Sequence, residues 1–203
     1  SAHRLIKRIK RRIQMKYDKL IPGKKCYLSP VNLDDAALYK EWLNDLEVST
    51  NLNIRPYALT IEKEKEMLEK LVKSETDAVF GIVDKKSDKL IGNCGLMGIE
   101  PFNRKAMFGI FIGDKKYWGK GYGEEATNLI LDFGFNMLNL HNIFLTVFSF
   151  NKRGIRCYEK CGFKHAGKLR ELRLVAGKYY DVVYMDILDR EFKNSTLKNI
   201  VEA

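Results

Sequence analysis

The sequence lacks several features that would assign a protein to a broad class at once. It has no apolar run close to the roughly 18 residues that a transmembrane helix needs, and its basic N-terminal segment has no apolar stretch of the kind found in secretory signals. Its four cysteines, at positions 26, 94, 157 and 161, form no Cys-x-x-Cys pair. We therefore expect a cytoplasmic globular protein whose thiols are reduced and mostly buried.

A metal site is a further feature that the sequence argues against. Cys157, Cys161 and His165 are spaced four residues apart, as ligands on one face of a helix could be. Gly162 directly follows Cys161 and should end the helix there, because glycine is the residue most often found just past a helix C-terminus. That ending would break the alignment of the three side chains, so we expect no metal site.

The positive charge of the chain is concentrated at one end. The net charge is +10, and residues 1–25 alone carry ten Lys or Arg and one Asp, whereas residues 34–69 carry nine acidic and four basic side chains. Apolar residues recur between the N-terminal bases at near-helical spacing, which predicts a basic amphipathic helix over about residues 3–19 in an N-terminal arm, 1–25. Such an arm could contact nucleic acid or an anionic membrane. Packing on its own domain or on a second copy explains the same pattern more simply.

The remaining pattern predicts a mixed α/β sheet flanked by helices. A strand at Cys26–Val31 precedes a helix that Asp34 or Asp35 can cap. This helix runs to about Leu46 and carries Ala37, Leu38, Trp42 and Leu46 on its apolar face, and a second helix is capped by Thr60 after a loop at 47–59. Three strands at about 78–84, 90–99 and 105–112, a helix to about Leu138, a strand at Ile143–Phe148, a helix at 152–161 and a hairpin of Leu169–Val175 and Lys178–Ile187 follow. We assign residues 26–190 to one domain and residues 191–203 to a C-terminal tail.

The stretch Tyr117–Ala126, YWGKGYGEEA, stands between a predicted strand and a predicted helix. Free amide groups at the start of a helix bind anions, and glycine lets the backbone approach a phosphate closely. Lys120 adds a full positive charge. The stretch is not a Walker A loop, since its lysine precedes the later glycines, and Glu124 stands where a dinucleotide fingerprint needs its last glycine. An anion site of another kind is indicated.

The stretch resembles the pyrophosphate loop of the GCN5-related N-acetyltransferase (GNAT) family, (Gln/Arg)-x-x-Gly-x-(Gly/Ala), with Trp118 in place of the first residue. Three further segments agree with that family: FGIFIG at 108–113, Asn151 with YEKCGF at 158–163, and GKYYDVVYM at 177–185. The resemblance covers about residues 26–190. Its YWGKGY form is closest in character to the ribosomal-protein N-terminal acetyltransferases and their relatives.

The resemblance implies a GNAT-like, mostly antiparallel central sheet with a V-shaped splay between the strands at 109–112 and 143–148, and it implies acetyl-CoA as cosubstrate with no metal. The pantetheine arm would pair with the backbone of Phe111 and Ile112 like an added strand, and Asn151 would bond a pantetheine amide, cap the following helix, or do both. The amides that would bind the pyrophosphate belong to Trp118, Gly119, Lys120, Gly121, Tyr122, Gly123 and Glu124.

The resemblance also implies the chemistry, which is direct attack of a primary amine on acetyl-CoA in a ternary complex. The amine would belong to a protein N-terminus or to a small molecule. Tyr158, a phenol with an ordinary pKa near 10, would give its proton to the departing thiolate. Some relatives have an acid where this chain has Met107, so the general base is open, with Glu100, His141 or a water chain at Ser149 as candidates.

Two other functions fit parts of the sequence. The missing base and Trp118 also suit a non-catalytic module that binds acetyl-CoA without turnover. Tyr158→Phe would lower turnover in an enzyme, whereas such a module has no turnover to lose. A nucleic-acid or membrane-surface protein would depend on salt and on residues 1–25. A homodimer is compatible with all three.

Overall fold

The structure of the protein is a computed structural model that describes residues 16–54 and 58–197. Its central element is one eight-stranded sheet. The strands are β1 (Ile21–Pro22), β2 (Cys26–Pro30), β3 (Ala78–Asp84), β4 (Lys89–Glu100), β5 (Lys105–Ile112), β6 (Asn142–Phe148), β7 (Lys164–Val175) and β8 (Lys178–Leu188). Their order across the sheet is β1-β2-β3-β4-β5-β6-β8-β7, and every neighbouring pair is antiparallel except β5 with β6. The predicted mixed, mostly antiparallel sheet is confirmed.

Five α-helices cover the described part of this sheet: α1 (Ala36–Asn44), α2 (Leu46–Ser49), α3 (Ile61–Lys73), α4 (Tyr122–Asn136) and α5 (Lys152–Lys160). Side-chain caps mark the starts of α2, α3 and α5, whereas α1 and α4 begin without one. The Thr60 hydroxyl accepts from the Lys63 amide at 3.3 Å, and the Asn151 side chain accepts from the Gly154 amide at 2.9 Å. Gly162, with φ of 97°, ends α5 as predicted. No helix of the described segments combines the length and apolar character that crossing a bilayer requires.

Each face of the sheet has its own apolar core. On one face α4 packs through Ala126, Ile130 and Leu131 against residues of β4, β5 and β6. On the other face α1 and α3 bury Tyr39, Trp42 and Leu68 over β2, β3 and β4. The second face is the one that forms part of the site described below.

The apolar face of α1 differs from the prediction. Ala36, Tyr39 and Trp42 are buried, whereas Ala37 is exposed and Leu46 is 68% exposed. The two aromatic rings set the rotation of the helix, because they contact each other edge-on with centroids 5.7 Å apart and both contact the ring of Phe111. The helix also ends at Asn44, and the Asp45 side chain caps the separate helix α2.

The predicted N-terminal helix lies largely outside the described residues, which begin at Lys16. Residues 16–19 are not helical, so that end of the prediction is wrong. Tyr17 is buried, and its hydroxyl and the Lys16 ammonium both donate to Asp35. The part of the arm that the structure describes therefore packs on the domain.

The described part of the C-terminal tail is fixed by a buried carboxylate on α4. Asp132, 1% exposed, accepts from the Thr196 amide at 2.7 Å, the Thr196 hydroxyl at 2.9 Å and the Leu197 amide at 3.0 Å. The Asn136 side chain donates to it at 2.6 Å. Leu197 is buried in the core under this turn of chain.

The sheet opens between β5 and β6. These parallel strands pair over three positions only, Lys105 with Asn142, Ala106 with Ile143 and Met107 with Phe144, and then part. β5 remains paired with β4 up to Ile112, and β6 remains paired with β8 up to Phe148. The resulting V-shaped opening confirms the predicted splay.

Candidate active site

A continuous cavity of about 690 Å³ occupies the V-shaped opening and extends under α1 and α3. The glycine loop before α4 and one side of α5 line one end, which we call the loop end. Residues of α3 and of the adjoining strands, including Glu64, Met67, Met97 and Met107, line the other end, which we call the α3 end. The two ends communicate along β5, so the cavity has room for two molecules that meet near the point of the V.

The glycine loop lines this cavity with Trp118, Gly119 and residues 121–124. Gly119 and Gly121 have positive φ angles of 70° and 83°, a conformation that other residues rarely adopt. The Trp118 amide donates to the Lys115 carbonyl at 3.1 Å, and the Glu125 amide donates to the Gly121 carbonyl at 3.1 Å. The six amides between them, those of residues 119–124, have no hydrogen-bond partner in the described part of the chain. These six amides, which we call the amide cup, lie at the N-terminus of α4, where unpaired amides are suited to binding an anion.

The Trp118 side chain is fixed at the edge of this cup. Its indole Nε1 donates to the Ile112 carbonyl at 2.7 Å, and the guanidinium of Arg153 stacks over its ring at 3.7 Å. Arg156 and Lys160 also line the loop end. The chain thus has a guanidinium beside the position where the family pattern has Gln or Arg.

Contacts outside the cavity hold the loop in place. The Glu125 carboxylate accepts from the amides of Lys25 and Cys26 at 2.7 and 3.2 Å. The Lys25 ammonium donates to the Lys120 carbonyl at 2.7 Å, and the Tyr122 hydroxyl donates to Asp84 at 2.8 Å. These contacts tie the carbonyl and side-chain groups of the loop to β2 and β3 and leave the amides free.

The hydrogen-bonding direction along β5 follows from its register with β4. The Gly113 amide donates to the Ile91 carbonyl at 2.9 Å, and Phe111 lies opposite Asn93. Because backbone groups alternate in direction along a strand, those of Phe111 point to β4 and those of Ile110 and Ile112 point into the opening. The Ile112 carbonyl already accepts from Trp118. This register favours Ile110 and Ile112, rather than Phe111, as the groups that face a ligand.

Asn151 and Tyr158 both lie on the cavity wall. Asn151 caps α5 with its side-chain oxygen, as one of its predicted roles requires, and its side-chain nitrogen has no partner in the described residues. The Tyr158 ring packs edge-on against Phe108 at 6.1 Å. Burial raises the pKa of the Tyr158 hydroxyl above its ordinary value, so the group is protonated at neutral pH and can serve as a proton donor but not as a general base.

The predicted candidates for the general base lie elsewhere. Glu100 pairs with Lys105 at 3.1 Å in the β4–β5 turn, and His141 Nδ1 lies 3.2 Å from Asp189. The Ser149 amide donates to the Asp181 carbonyl beside β8. None of the three lines the cavity.

The carboxylate that lines the α3 end of the cavity is Glu64, which sequence reasoning missed. It is 2% exposed, and burial raises its pKa to about 7. A signal was present in the sequence, because Ile61, Glu64, Leu68 and Leu71 follow one another at steps of three, four and three along one helix face. A glutamate within the apolar stripe of a helix is unusual and marks a position to examine.

The cysteines form no disulfide and no cluster with His165 in the described residues. All four are free thiols, and Cys157 is the only half-buried one. The sulfur of Cys157 lies 3.7 Å from the position that a Cβ on Gly123 would take, beside the amide cup rather than at the α3 end. His165 pairs with Glu159 at 2.9 Å, away from Cys157 and Cys161.

Comparison with known proteins agrees with this geometry. The family model for the acetyltransferase (GNAT) domain matches residues 25–164. The chain is 32% identical to a spermidine N(1)-acetyltransferase of Vibrio cholerae over 152 residues, which cover 72% of this chain and 87% of that protein. It is 30% identical to an uncharacterized N-acetyltransferase, p20, of Bacillus licheniformis over 168 residues, which cover 81% of this chain and 93% of that protein.

A solved structure of spermidine N-acetyltransferase from Vibrio cholerae in complex with CoA and spermine superposes with a TM-score of 0.77 at 29% identity, covering 83% of this chain and 98% of that one. These relatives support the family that the sequence indicates. They do not support the narrower resemblance to ribosomal-protein N-terminal acetyltransferases, since the named activity among them is acetylation of spermidine. The chain belongs to the GNAT acetyltransferase family and is an acetyl-CoA-dependent N-acetyltransferase.

Proposed function

We propose that this enzyme acetylates a primary amine of a small aliphatic cation such as a polyamine. The observation that carries the proposal is the continuity of one cavity from the amide cup, through the V-shaped opening, to the carboxylate of Glu64. An anionic cosubstrate fits the loop end, where six free amides and three basic side chains converge. A cationic acceptor fits the α3 end, where the lining is apolar apart from a few polar groups.

The residues of the loop end fit acetyl-CoA in named roles. The amides of residues 119–124 bind the pyrophosphate, with Lys120 and Arg153 adding positive charge. The backbone of Ile110 and Ile112 bonds the pantetheine arm from one side of the opening, and the Asn151 side-chain amide bonds it from the other. The predicted contacts of Trp118 and Phe111 become indirect in this proposal, because Trp118 orients Arg153 and Phe111 packs against Tyr39 and Trp42.

The chemistry that these groups support is a direct transfer. The amine nitrogen bonds to the acetyl carbonyl carbon, the C–S bond breaks, and Tyr158 gives its proton to the thiolate that leaves. The amine first releases its ammonium proton to water, and the proton that the nitrogen loses after attack restores the Tyr158 hydroxyl. Cys157 is not required as a nucleophile, because its sulfur lies beside the cup and not at the α3 end.

A small amine is favoured over a protein N-terminus for two reasons. The Vibrio cholerae relative is named a spermidine N(1)-acetyltransferase, and the similar solved structure from that organism contains CoA and spermine. In addition, α1, α2 and α3 cover the α3 end of the cavity, and Leu43, Val48 and Leu52 contribute to its wall. A flexible chain of methylene groups and ammonium groups fits such a space better than a folded protein surface does.

The experiment is a mass-spectrometric acetylation assay with acetyl-CoA on a matched panel of spermidine, spermine, a neutral aromatic amine and peptides with free N-termini. We expect kcat/KM for spermidine or spermine to exceed that for any peptide by at least tenfold. Preference for a peptide would contradict the proposed acceptor. Absence of any acetyl-CoA binding in calorimetry would contradict the assigned cosubstrate site as well.

We also propose that residues 26–190 form the catalytic domain of a cytoplasmic enzyme, with residues 1–25 as an N-terminal arm and residues 191–203 as a C-terminal tail. Lys16 and Tyr17 contact the domain, so the arm proper would be confined to the residues before them. Removal of residues 1–15 should leave the kinetic constants of the assay above unchanged. A loss of activity would assign the arm a part in the site.

A further inference from the structure

Glu64 is a buried carboxylate that lacks a partner among the described residues, and buried carboxylates without a partner are rare. It is 2% exposed, its Oε2 atom is buried, and neither side-chain oxygen has a hydrogen-bond or ion-pair partner among the described residues. The neighbouring carboxylates of α3 behave differently. Glu66 pairs with Lys70 at 2.7 Å and Glu69 pairs with Lys73 at 3.5 Å, and all four side chains are exposed.

A buried carboxylate without a partner is unfavourable, because the charged form loses its hydration and gains nothing in return. Burial raises the pKa of Glu64, and none of the ion pairs among the described residues includes this carboxylate. The chain has 36 Lys and Arg residues, yet the described bases on the cavity wall, Arg153, Arg156 and Lys160, all belong to α5 at the loop end. The described part of the fold therefore provides no cation for this group.

The wall around Glu64 is shaped for an aliphatic chain. Gly95 of β4 and Gly109 of β5 lie directly opposite each other and both line the cavity. A side chain would not fit at Gly95, since its Cβ would come within 2.7 Å of the Ala78 carbonyl, whereas a Cβ on Gly109 would meet only the end of the flexible Met97 side chain, at 2.8 Å. Met67, Met97 and Met107 provide the flexible apolar surface beside this bare backbone.

A second buried polar atom at this end lacks a partner among the described residues. The Tyr39 hydroxyl oxygen is buried and unbonded within the described residues, and Tyr39 lines the same cavity. Burial raises the pKa of Tyr39 above its ordinary value, so the hydroxyl is neutral at physiological pH and can either donate or accept. The α3 end thus combines one carboxylate and one hydroxyl with the side-chain amides of Asn51, Asn53 and Asn93 in an otherwise largely apolar wall.

We propose that Glu64 binds an ammonium group of the acceptor and so selects aliphatic cations as substrates. This inference rests on the proposed function and adds the residue that recognises the acceptor. The carboxylate gains in the complex the cation that the described part of the protein does not supply, and the glycine floor and methionine wall contact the methylene groups between the charges. Glu64 is then a substrate-contacting specificity residue whose main effect is on acceptor binding.

The test is calorimetric titration of spermidine into the full chain saturated with CoA, for the wild type and Glu64→Gln. Glu69→Gln is the matched control, since it removes a carboxylate from the exposed face of the same helix. We expect Glu64→Gln to weaken spermidine binding by 10-fold to 100-fold, roughly the loss of one close charge pair. The control should bind spermidine within about twofold of the wild type, and the Kd of acetyl-CoA should be the same for all three proteins.

Steady-state kinetics separate acceptor binding from other roles. If Glu64 anchors the acceptor, KM for spermidine rises by at least tenfold in Glu64→Gln while kcat at saturation stays within about threefold. Equal spermidine binding by wild type and Glu64→Gln would overturn the inference and leave the proposed function intact, as would a hundredfold decrease in kcat with KM unchanged. Absence of spermidine binding by the wild type, with acetyl-CoA still bound, would overturn both the inference and the proposed acceptor.

Folding of the variant is checked by its thermal midpoint and by acetyl-CoA affinity. Glu64→Met serves as a second variant, because it fills the same volume without a polar group. If both variants bind acetyl-CoA like the wild type and only spermidine binding is lost, the effect lies in acceptor recognition. If both keep spermidine binding, Glu64 does not contact the acceptor.

Discussion

Two carboxylates of this protein are buried to the same degree and have opposite surroundings. Asp132 on α4 is 1% exposed and accepts hydrogen bonds from the described C-terminal segment and from its own helix, whereas Glu64 on α3 is 2% exposed and accepts none among the described residues. Burial acts to raise the pKa of Asp132, but hydrogen bonds from Thr196, Asn136 and Leu197 outweigh it and hold that pKa below its ordinary value. Burial alone raises the pKa of Glu64 to about 7.

The difference separates a carboxylate that holds the fold together from one that the fold tolerates. Asp132 satisfies backbone donors that would otherwise be unpaired near the core. Glu64 satisfies nothing within the described protein, and it lies on a cavity wall. Buried polar groups with no internal partner are therefore the ones to associate with ligand binding, and the predictions below test that rule.

The largest effect on stability is expected at Asp132. Asp132→Ala leaves the Thr196 and Leu197 amides without their acceptor, and the free energy of unfolding should fall by about 2–4 kcal/mol. Urea denaturation measures this loss, with the exposed Asp18→Ala as control. An unchanged unfolding midpoint would remove the distinction between the two carboxylates.

Tyr158 extends the comparison to a third group on the cavity wall, a hydroxyl without a partner in the described residues. Tyr158→Phe should lower kcat by roughly 10²-fold, because it removes the proton donor for the leaving thiolate, and should change the free energy of unfolding by less than about 1 kcal/mol. Single-turnover kinetics check the first number and denaturation checks the second. Tyr179→Phe on the exposed face of β8 should leave both unchanged. If the Tyr158 variant is destabilised but has a normal kcat, the hydroxyl has a structural role like that of Asp132.

Glu64 is expected to respond in the opposite sense to Asp132. Glu64→Met should raise the free energy of unfolding by roughly 2–3 kcal/mol at pH 8, because it removes an unpaired buried charge. At pH 5, where the carboxyl of the wild type is protonated in the folded state, the gain should be much smaller. Denaturation curves at the two pH values measure the difference. Destabilisation at pH 8 would show that Glu64 has a structural partner.

The pH dependence of the wild type is the smallest of these effects. The folded pKa of Glu64 lies above its unfolded value of 4.5, so the folded state binds more protons between those values and stability falls as pH rises from about 4.5 to about 7. The loss attributable to Glu64 between pH 5 and pH 7 is about 2 kcal/mol. For Asp132 the folded pKa is lowered, so its stabilisation is present above the unfolded value of 3.8 and is lost as pH falls through the lower folded value.

Comparison of the wild type with Glu64→Gln over pH 5 to 8 isolates the Glu64 contribution, because the variant does not titrate at this position. The two stability curves should converge at pH 5 and separate towards pH 7. Parallel curves would mean that Glu64 has an ordinary pKa in the folded state.

Local sequence signals were sufficient for the elements that depend on local chemistry. The Thr60 and Asn151 caps, the ending of α5 at Gly162 and the glycine loop before α4 all follow from side-chain and backbone preferences over a few residues. The splay between β5 and β6 followed from the family resemblance instead. No pattern in residues 105–112 and 142–148 predicts that the pairing of β5 with β6 stops after Met107 and Phe144.

The features that could not be predicted from the sequence depend on contacts between residues far apart in the chain. The assignment of Phe111 as a ligand-facing backbone group needed the phase of β5 against β4, which Gly113 and Ile91 fix. The apolar stripe of α3 made the position of Glu64 visible, but only the folded arrangement shows that its Oε2 atom is buried without a hydrogen-bond partner among the described residues. The same holds for Asp132, whose donors are 64 and 65 residues further along.

The short pairing between β5 and β6 also has a mechanical meaning. Five strands stand on one side of that seam and three on the other, and three residue pairs join them edge to edge. A sheet divided in this way is least resistant to distortion at the seam, since few backbone bonds cross it. A substrate that lies between β5 and β6 would contact both strands and so connect the two parts of the sheet. We therefore expect the sheet to be more rigid when substrate is bound than when it is absent.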